Sequence, residues 1–359
     1  ARFARLTSYL KAYRQLWEPR PFTLPQLPWE DAYPEVSTWL RGLSPAQADH
    51  IEATLALPPD AADSLRSWAA ESARLSALDP LPVQEVPASP ELLKQHLNDR
   101  KRAQLLAFCG AVLPWLPDGL RGVVEWCAGK GHLGRLVASH TGLPVVSLEK
   151  AAGLCATGNE LAVAAGVHQH LAVTDVLSPP AWEHLQAGTV VLALHACGIL
   201  TSTLVREALR RGVRALALAP CCHHYLNRTE RYAPLSQAGR TADLPLTSQD
   251  LRLAILDEVV ASDSTRSGRR REEAFRLGFD LLVRQASGRD AYESPGHLPG
   301  ALFRLPFGQF CQEVAALREL PLPAHWDAAA AEAAGWERVR ATRALSTLRA
   351  QFRRPLEVW

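Results

Sequence analysis

Val123-Val124-Glu125-Trp126-Cys127-Ala128-Gly129-Lys130-Gly131-His132-Leu133-Gly134 is the stretch that decides the fold. An apolar run ends in Gly129-x-Gly131-x-x-Gly134, the spacing that turns a buried strand sharply into a helix and lets a ligand approach the helix N-terminus. Downstream, short apolar runs recur at Pro144 to Leu148, Gln169 to Val173, Thr189 to Leu194 and Val213 to Ala219. Helical stretches separate them. With Val123 to Cys127 they make five candidate strands of an α/β fold with a doubly wound, mostly parallel sheet.

Upstream the texture differs. From Arg2 to about Gly122, helical segments are broken by proline, and Trp17, Trp29, Trp39 and Trp68 serve as packing anchors. The expected division is a helical N-terminal module over 1–118, the sheet domain over 119–286, an insertion or small subdomain over 287–350 and a returning strand over 351–359. The last helix of the first module is expected over Pro90 to Leu116, with Ser89 as its N-cap. Two more helices are expected, over Ser248 to Ser262 and Arg269 to Ala286. Leu356-Glu357-Val358-Trp359 reads as the opening of the returning strand.

Composition bounds the function without choosing it. The 359 residues are 47% hydrophobic and 21% charged, which suits a packed globular chain. Net charge is only +2, so any anionic partner must be met by a local patch. No apolar stretch reaches the roughly 20 residues that span a bilayer. Seven cysteines, two of them adjacent, and no N-terminal apolar leader point to a reducing cytoplasm. Nothing in the sequence speaks to oligomeric state.

The glycine turn admits two cofactors. NAD uses the same turn, but Glu125 would set a carboxylate beside its pyrophosphate, a pairing of like charges. S-Adenosylmethionine has no phosphate and carries an ammonium and a sulfonium, which an acid at the end of the first strand suits. Glu149, after the second run, is placed to accept from ribose hydroxyls, and Asp175, after the third, from the adenine amino group. Cys127, Ala128, Gly129, Lys130, Gly131, Val176, Leu194 and His195 complete the expected cofactor-binding set.

A second cluster follows at later strand ends: Leu194-His195-Ala196-Cys197-Gly198 and Ala219-Pro220-Cys221-Cys222-His223-His224. In a doubly wound sheet both tails emerge at the edge where ligands bind. Cysteine and imidazole are good zinc ligands, but adjacent Cys221 and Cys222 tend to diverge and no Cys-x-x-Cys pair is present, so no metal is expected. Lys130, His195, Cys197, Cys221, Cys222, His223 and His224 are the candidates for the catalytic end.

Taken together, the Gly-Lys-Gly turn, the His-x-Cys-Gly tail and the Cys-Cys-His-His tail resemble one clan of class I S-adenosylmethionine-dependent methyltransferases. The clan contains tRNA acceptor-stem 2'-O-methyltransferases and related methyltransferase-like proteins, among them a glutathione-transferase C-terminal-domain-containing protein. The resemblance runs from about Glu91 to Asp280. It implies a Rossmann-like methyltransferase fold with Glu125, Gly129, Lys130, Gly131, Glu149 and Asp175 on the cofactor. It places His195, Cys197, Cys221, Cys222 and His223 at the methyl-transfer end. Cys127 departs from the pattern, standing where many relatives have a glycine.

Methyl transfer to a hydroxyl needs a base, for which Lys130, His195, His223 and His224 are candidates. An RNA acceptor would use Arg266, Arg269, Arg270 and Arg271, with Arg338, Arg340, Arg343, Arg349, Arg353 and Arg354, to neutralise phosphates. The competing readings are a methyltransferase for a protein or small molecule, an NAD-dependent oxidoreductase and a non-catalytic cofactor-binding module.

Overall fold

The computed structural model describes residues 2–87, 97–226, 231–255 and 263–359. The chain forms two compact units, one of Leu78–Arg252 and one of Ala1–Ala77 together with Leu253–Trp359.

The first unit is built on five parallel strands: β1 (Gly122–Trp126), β2 (Val145–Glu149), β3 (Gln169–Val173), β4 (Thr189–Leu194) and β5 (Ala215–Ala219). Their order is β3-β2-β1-β4-β5. The chain winds outward from β1 to β3, then crosses to the other side of β1 to lay down β4. The reversal between β1 and β4 opens a crevice at the carboxyl ends of these two strands, where ligands of doubly wound sheets bind.

Both faces of β1 are covered and all five of its residues are buried, which explains why it is apolar apart from Glu125. Alternate residues point to opposite faces. Val123 packs with Leu133, Leu136 and Val137 of the helix His132–Thr141 and with Leu105 and Cys109 of the helix Asp99–Val112. Val124 and Trp126 face a second core with Leu148, Val191 and Leu204. Glu125 therefore lies on the Val123 face, beneath the start of the helix His132–Thr141.

The expected helix start at Ser89 and Pro90 lies outside the described residues. Its described part is Asp99–Val112, capped by the Asn98 side chain, which accepts from the Lys101 N–H at 2.9 Å. The helix expected over Ser248 to Ser262 is described as a four-residue helix, Ser248–Leu251, and a tight turn at Arg252–Ala254. Residues 256–262 lie outside the described set.

The second unit is helical. Its longest elements, Asp263–Ser287 and Ala328–Ala350, pack against each other, and the latter also packs on Pro45–Thr54. Their crossing depends on small residues: a Cβ on Gly335 would lie 2.3 Å from the Ala274 carbonyl oxygen. The structure thus divides the chain differently from the expected 1–118, 119–286, 287–350 and 351–359. Residues 78–118 lie with the sheet, while 287–350 contribute the helices Phe307–Arg318 and Ala328–Ala350 to the helical unit.

The expected returning strand at the end of the chain is instead a helix, Arg353–Val358. Phe352, Pro355 and Leu356 are buried while Arg354 is exposed, which is helical rather than strand spacing, since a strand would bury 352, 354 and 356 together. Trp359 stacks on Phe3 with ring centroids 5.4 Å apart, and its Nε1 donates to Thr7 Oγ1 at 2.9 Å. Among the described residues no helix is long and apolar enough to cross a membrane.

Candidate functional site

The glycine turn borders a cavity of about 460 Å³ at the carboxyl end of β1 and β4. Cys127, Ala128, Gly129 and Lys130 form one wall, and Leu194 and His195 form another. The helix Asp99–Val112 supplies Lys101, Gln104 and Leu105. Gly129 has φ 59°, and a Cβ built there would meet nothing within 4 Å, so the turn leaves space on its ligand side. Gly131, at φ 67°, does the reverse: a Cβ there would lie 2.6 Å from Gln169 Nε2, so this glycine permits close packing. It does not line the cavity. Cys127 adopts φ 59°, a left-handed backbone that costs a non-glycine residue stability and bends the chain out of β1.

Glu125 is buried, and its position differs from the strand-tip acid that the sequence suggested. Its Oε2 accepts from Ser147 Oγ at 2.6 Å, and its carboxylate faces the backbone N–H groups of Gly134 and Leu133. Burial pushes its pKa up to about 7, and the Ser147 and Gly134 hydrogen bonds, with the Arg135 charge nearby, pull against that rise. The carboxyl group still borders the cavity. It satisfies orphan amides at a helix start from below.

Glu149, at the end of β2, plays a parallel part. Its Oε2 accepts from the Gly129 N–H and its Oε1 from the Ala151 N–H, each at 3.0 Å. Asp175 is exposed and accepts from the Leu177 N–H at 2.9 Å, while Val176 is buried in the core beneath it. Glu149, Asp175 and Val176 lie outside the cavity wall, although Glu149 reaches it through the Gly129 amide.

These contacts favour one cofactor chemistry over the other. A pyrophosphate on this turn would need the amides of Gly129, Leu133 and Gly134 as donors. Glu149 already takes the first, and the Glu125 carboxyl faces the other two. A phosphate-free cation fits the same surroundings, because both acids are held at its border.

Beneath the turn lies a polar cluster that no motif announced. Arg135 is buried, with Nη2 reaching the Lys130 carbonyl at 3.2 Å and His132 Nδ1 at 2.9 Å, and Nη1 reaching Gln169 Oε1 at 3.3 Å. Gln169 Nε2 in turn donates to the Gly131 carbonyl and to Ser147 Oγ, each at 2.8 Å. The third glycine exists for this cluster: a Cβ on Gly134 would lie 2.5 Å from Glu125 Oε2 and 2.7 Å from Ser147 Oγ.

At the other wall, His195 continues the sheet through its N–H to the Ala219 carbonyl, then takes φ 65° and turns away from β4. Its Nε2 lies 3.1 Å from Gln104 Oε1. Partial desolvation and the positive charges of Lys101 and Arg100 hold its pKa below the ordinary value. Sequence reasoning missed Lys101 and Gln104 as site residues. They sit on a helix whose polar positions look like any solvated face.

Cys197, Cys221 and Cys222 come together beside this wall, with all three Sγ atoms within 4.8 Å of one another. The expectation that the adjacent pair diverges does not hold. Burial opposes ionisation of Cys197, but hydrogen bonds from the Cys221 side chain and backbone and from Cys222 outweigh it and lower its pKa. His223 lies apart from the first cavity, lining a second one of about 350 Å³ with Arg206 and Arg231. His224 packs its ring 4.2 Å from that of Tyr225. Neither histidine shares the cofactor cavity.

The arginines that suggested a nucleic-acid surface are largely engaged within the helical unit. Arg270 and Arg343 pair with Asp49, Arg353 with Glu52, Arg338 with Asp280, Arg340 with Glu337 and Arg354 with Glu357. Arg271 donates to the Phe303 and Leu305 carbonyls, and Arg349 to that of Trp17. The pairs with Asp49, Glu52 and Asp280 and the bond to Trp17 tie separate helices together, while Arg340–Glu337 and Arg354–Glu357 lie within one helix each.

Residues 100–229 match the family model of a methyltransferase domain. No curated protein matches the chain. Among solved structures, the chain is similar to coclaurine N-methyltransferase bound to N-methylheliamine and SAH, at 11% identity and a TM-score of 0.25. That match covers 60% of each chain. A similarity to the 16S rRNA methylase RmtB has 22% identity and a TM-score of 0.21, covering 61% of this chain and 80% of that one. The parallel sheet, the glycine turn after β1 and the family match together support a class I methyltransferase domain. S-Adenosylmethionine is the methyl donor that such a domain implies.

Proposed function

We propose that the chain transfers a methyl group from S-adenosylmethionine to a hydroxyl of an RNA, with His195 taking the acceptor's proton. The observation that carries this reading is His195 at the cavity wall, hydrogen-bonded to Gln104 and flanked by Lys101 and Arg100. A tautomer with its proton on Nε2 donates to Gln104 Oε1 and leaves Nδ1 as a base. The cations beside it suit an acceptor carried on a phosphate backbone.

When bound, the cofactor supplies an electrophilic methyl carbon. Glu125 and Glu149 hold negative charge at the border of its site, and Gly129 leaves room for it against the turn. His195 orients the acceptor hydroxyl and receives its proton as the oxygen–carbon bond forms and the sulfur–carbon bond breaks. Lys130 lines the same cavity and suits the cofactor's carboxylate. The methionine portion thus meets both signs of charge.

The test is transfer of a labelled methyl group from S-adenosylmethionine into the RNA, protein and small-molecule fractions of a cell extract. Label in RNA, lost with His195→Ala and with Lys101→Glu, is the expected result. Label confined to protein or small molecules overturns the acceptor. Binding of NAD in place of S-adenosylmethionine in a calorimeter overturns the whole reading.

A further inference from the structure

We infer that Cys197, Cys221 and Cys222 form a binding site for one soft divalent cation, of which zinc is the natural example, held by three thiolates with its fourth position open. The three Sγ atoms all lie within 4.8 Å of one another. Zinc–thiolate bonds of about 2.3 Å place the sulfurs of a tetrahedral centre about 3.8 Å apart. The observed spacings, 3.2 Å between the Cys197 and Cys221 sulfurs and no more than 4.8 Å for any pair, bracket that separation.

The backbone holds this cradle without help from an ion. β5 ends at Ala219, and Pro220, with no N–H, stops the ladder. The chain then folds over the turn after β4, where the Ile199 N–H donates to the Tyr225 carbonyl at 2.8 Å. Only glycine allows that crossing: a Cβ on Gly198 would lie 2.1 Å from the Tyr225 oxygen. The Cys221 N–H points at Cys197 Sγ from 3.2 Å, the kind of outer bond that orients a thiolate ligand.

Two sulfurs alone would suit a disulfide. Here the third, Cys222, is buried against the same pair, and Cys221 is exposed to an entering ion. Soft sulfur donors favour zinc over magnesium or calcium. Binding replaces three thiol protons with one cation. No electron moves, and the site carries a net single negative charge.

The full-length, reduced protein is titrated with cobalt(II) chloride and then with zinc chloride against a chromogenic chelator. The expected result is a sulfur-to-cobalt charge-transfer band that saturates at one equivalent and is abolished by zinc. Cys197→Ser, Cys221→Ser and Cys222→Ser should each weaken binding by about tenfold or more, while Cys155→Ala, outside the cluster, leaves it unchanged. Circular dichroism shows which variants remain folded. A folded, fully reduced protein with no such band overturns the inference, as does a band untouched by Cys221→Ser. A mass lower by two hydrogens from a Cys197–Cys221 bond, with no metal bound after reduction, replaces it with a redox pair. Because the titration uses metal alone, its failure leaves the methyl-transfer reading standing.

Discussion

Lowering the pH from 8 to 6 should weaken S-adenosylmethionine binding by about tenfold through Glu125. Burial holds this carboxyl at a pKa of about 7 in the free protein, against an ordinary value of 4.5. A cationic ligand at the cavity it borders favours the ionised form. If only that form binds well, the apparent dissociation constant scales as one plus the ratio of protonated to ionised Glu125. That factor is about 1.1 at pH 8, about 2 at pH 7 and about 11 at pH 6, a change worth roughly 1.4 kcal/mol. Near pH 7 each binding event should release about half a proton. Calorimetry in two buffers of different ionisation enthalpy reads both quantities. Glu125→Gln should bind weakly at both ends of the range and lose most of the pH dependence, because other titrating groups are common to the two proteins. A wild-type affinity that is flat from pH 6 to 8, or a slope unchanged in Glu125→Gln, refutes the argument.

The same carboxyl makes the ligand-free protein less stable as pH rises. Its folded pKa is raised, so its contribution is fully present below about pH 4.5 and is lost as pH climbs through about 7, a window worth on the order of 3 kcal/mol; urea denaturation of wild type and Glu125→Gln should diverge across it. Gly134→Ala forces a methyl group into the Glu125–Ser147–Gln169 cluster and should cost about 1–3 kcal/mol, with cofactor affinity falling alongside the melting temperature. His195→Ala should lower kcat by about 100-fold or more while leaving cofactor affinity within a small factor, a split that single-turnover methylation with measured Kd resolves. In the helical unit, Asp280 is buried between Arg284 and Arg338, so Asp280→Ala leaves Arg338 without its carboxylate while Arg284 keeps Asp290, and should cost about 3 kcal/mol by chemical denaturation.

Much of the sheet was legible because strands buried on both faces read as apolar runs. Gln169–Val173 and Thr189–Leu194 match their expected spans, and the other three strands differ by one or two residues at their ends. The chain end misled because Leu356 and Val358 alternate like a strand, and the exposure of Arg354 between buried Phe352 and Leu356 is what reveals a helix. Motif reasoning named Glu125, Gly129 and His195, which line the cavity and whose local spacing carries the signal. It could not find Gln104 or Lys101, because their roles arise where the helix Asp99–Val112 meets the end of β4. The assembled thiols were hidden for a related reason. Whether Cys221 and Cys222 diverge depends on a loop path set by Gly198 and Tyr225, not on the cysteines' own spacing.

The buried acids also explain how one glycine turn comes to serve a cation. A bare turn of this kind presents inward-facing amides and the positive end of a helix, an environment made for phosphate. Here Glu149 takes the Gly129 amide while the Glu125 carboxyl faces those of Leu133 and Gly134. Filling the donors with carboxyl groups both satisfies the helix start and reverses the sign of the site. The cost falls on Glu125, whose ionised form is poorly solvated until a positive ligand arrives. That cost couples the cofactor to a proton, so the pH dependence of binding and the choice of S-adenosylmethionine over a dinucleotide have one physical origin.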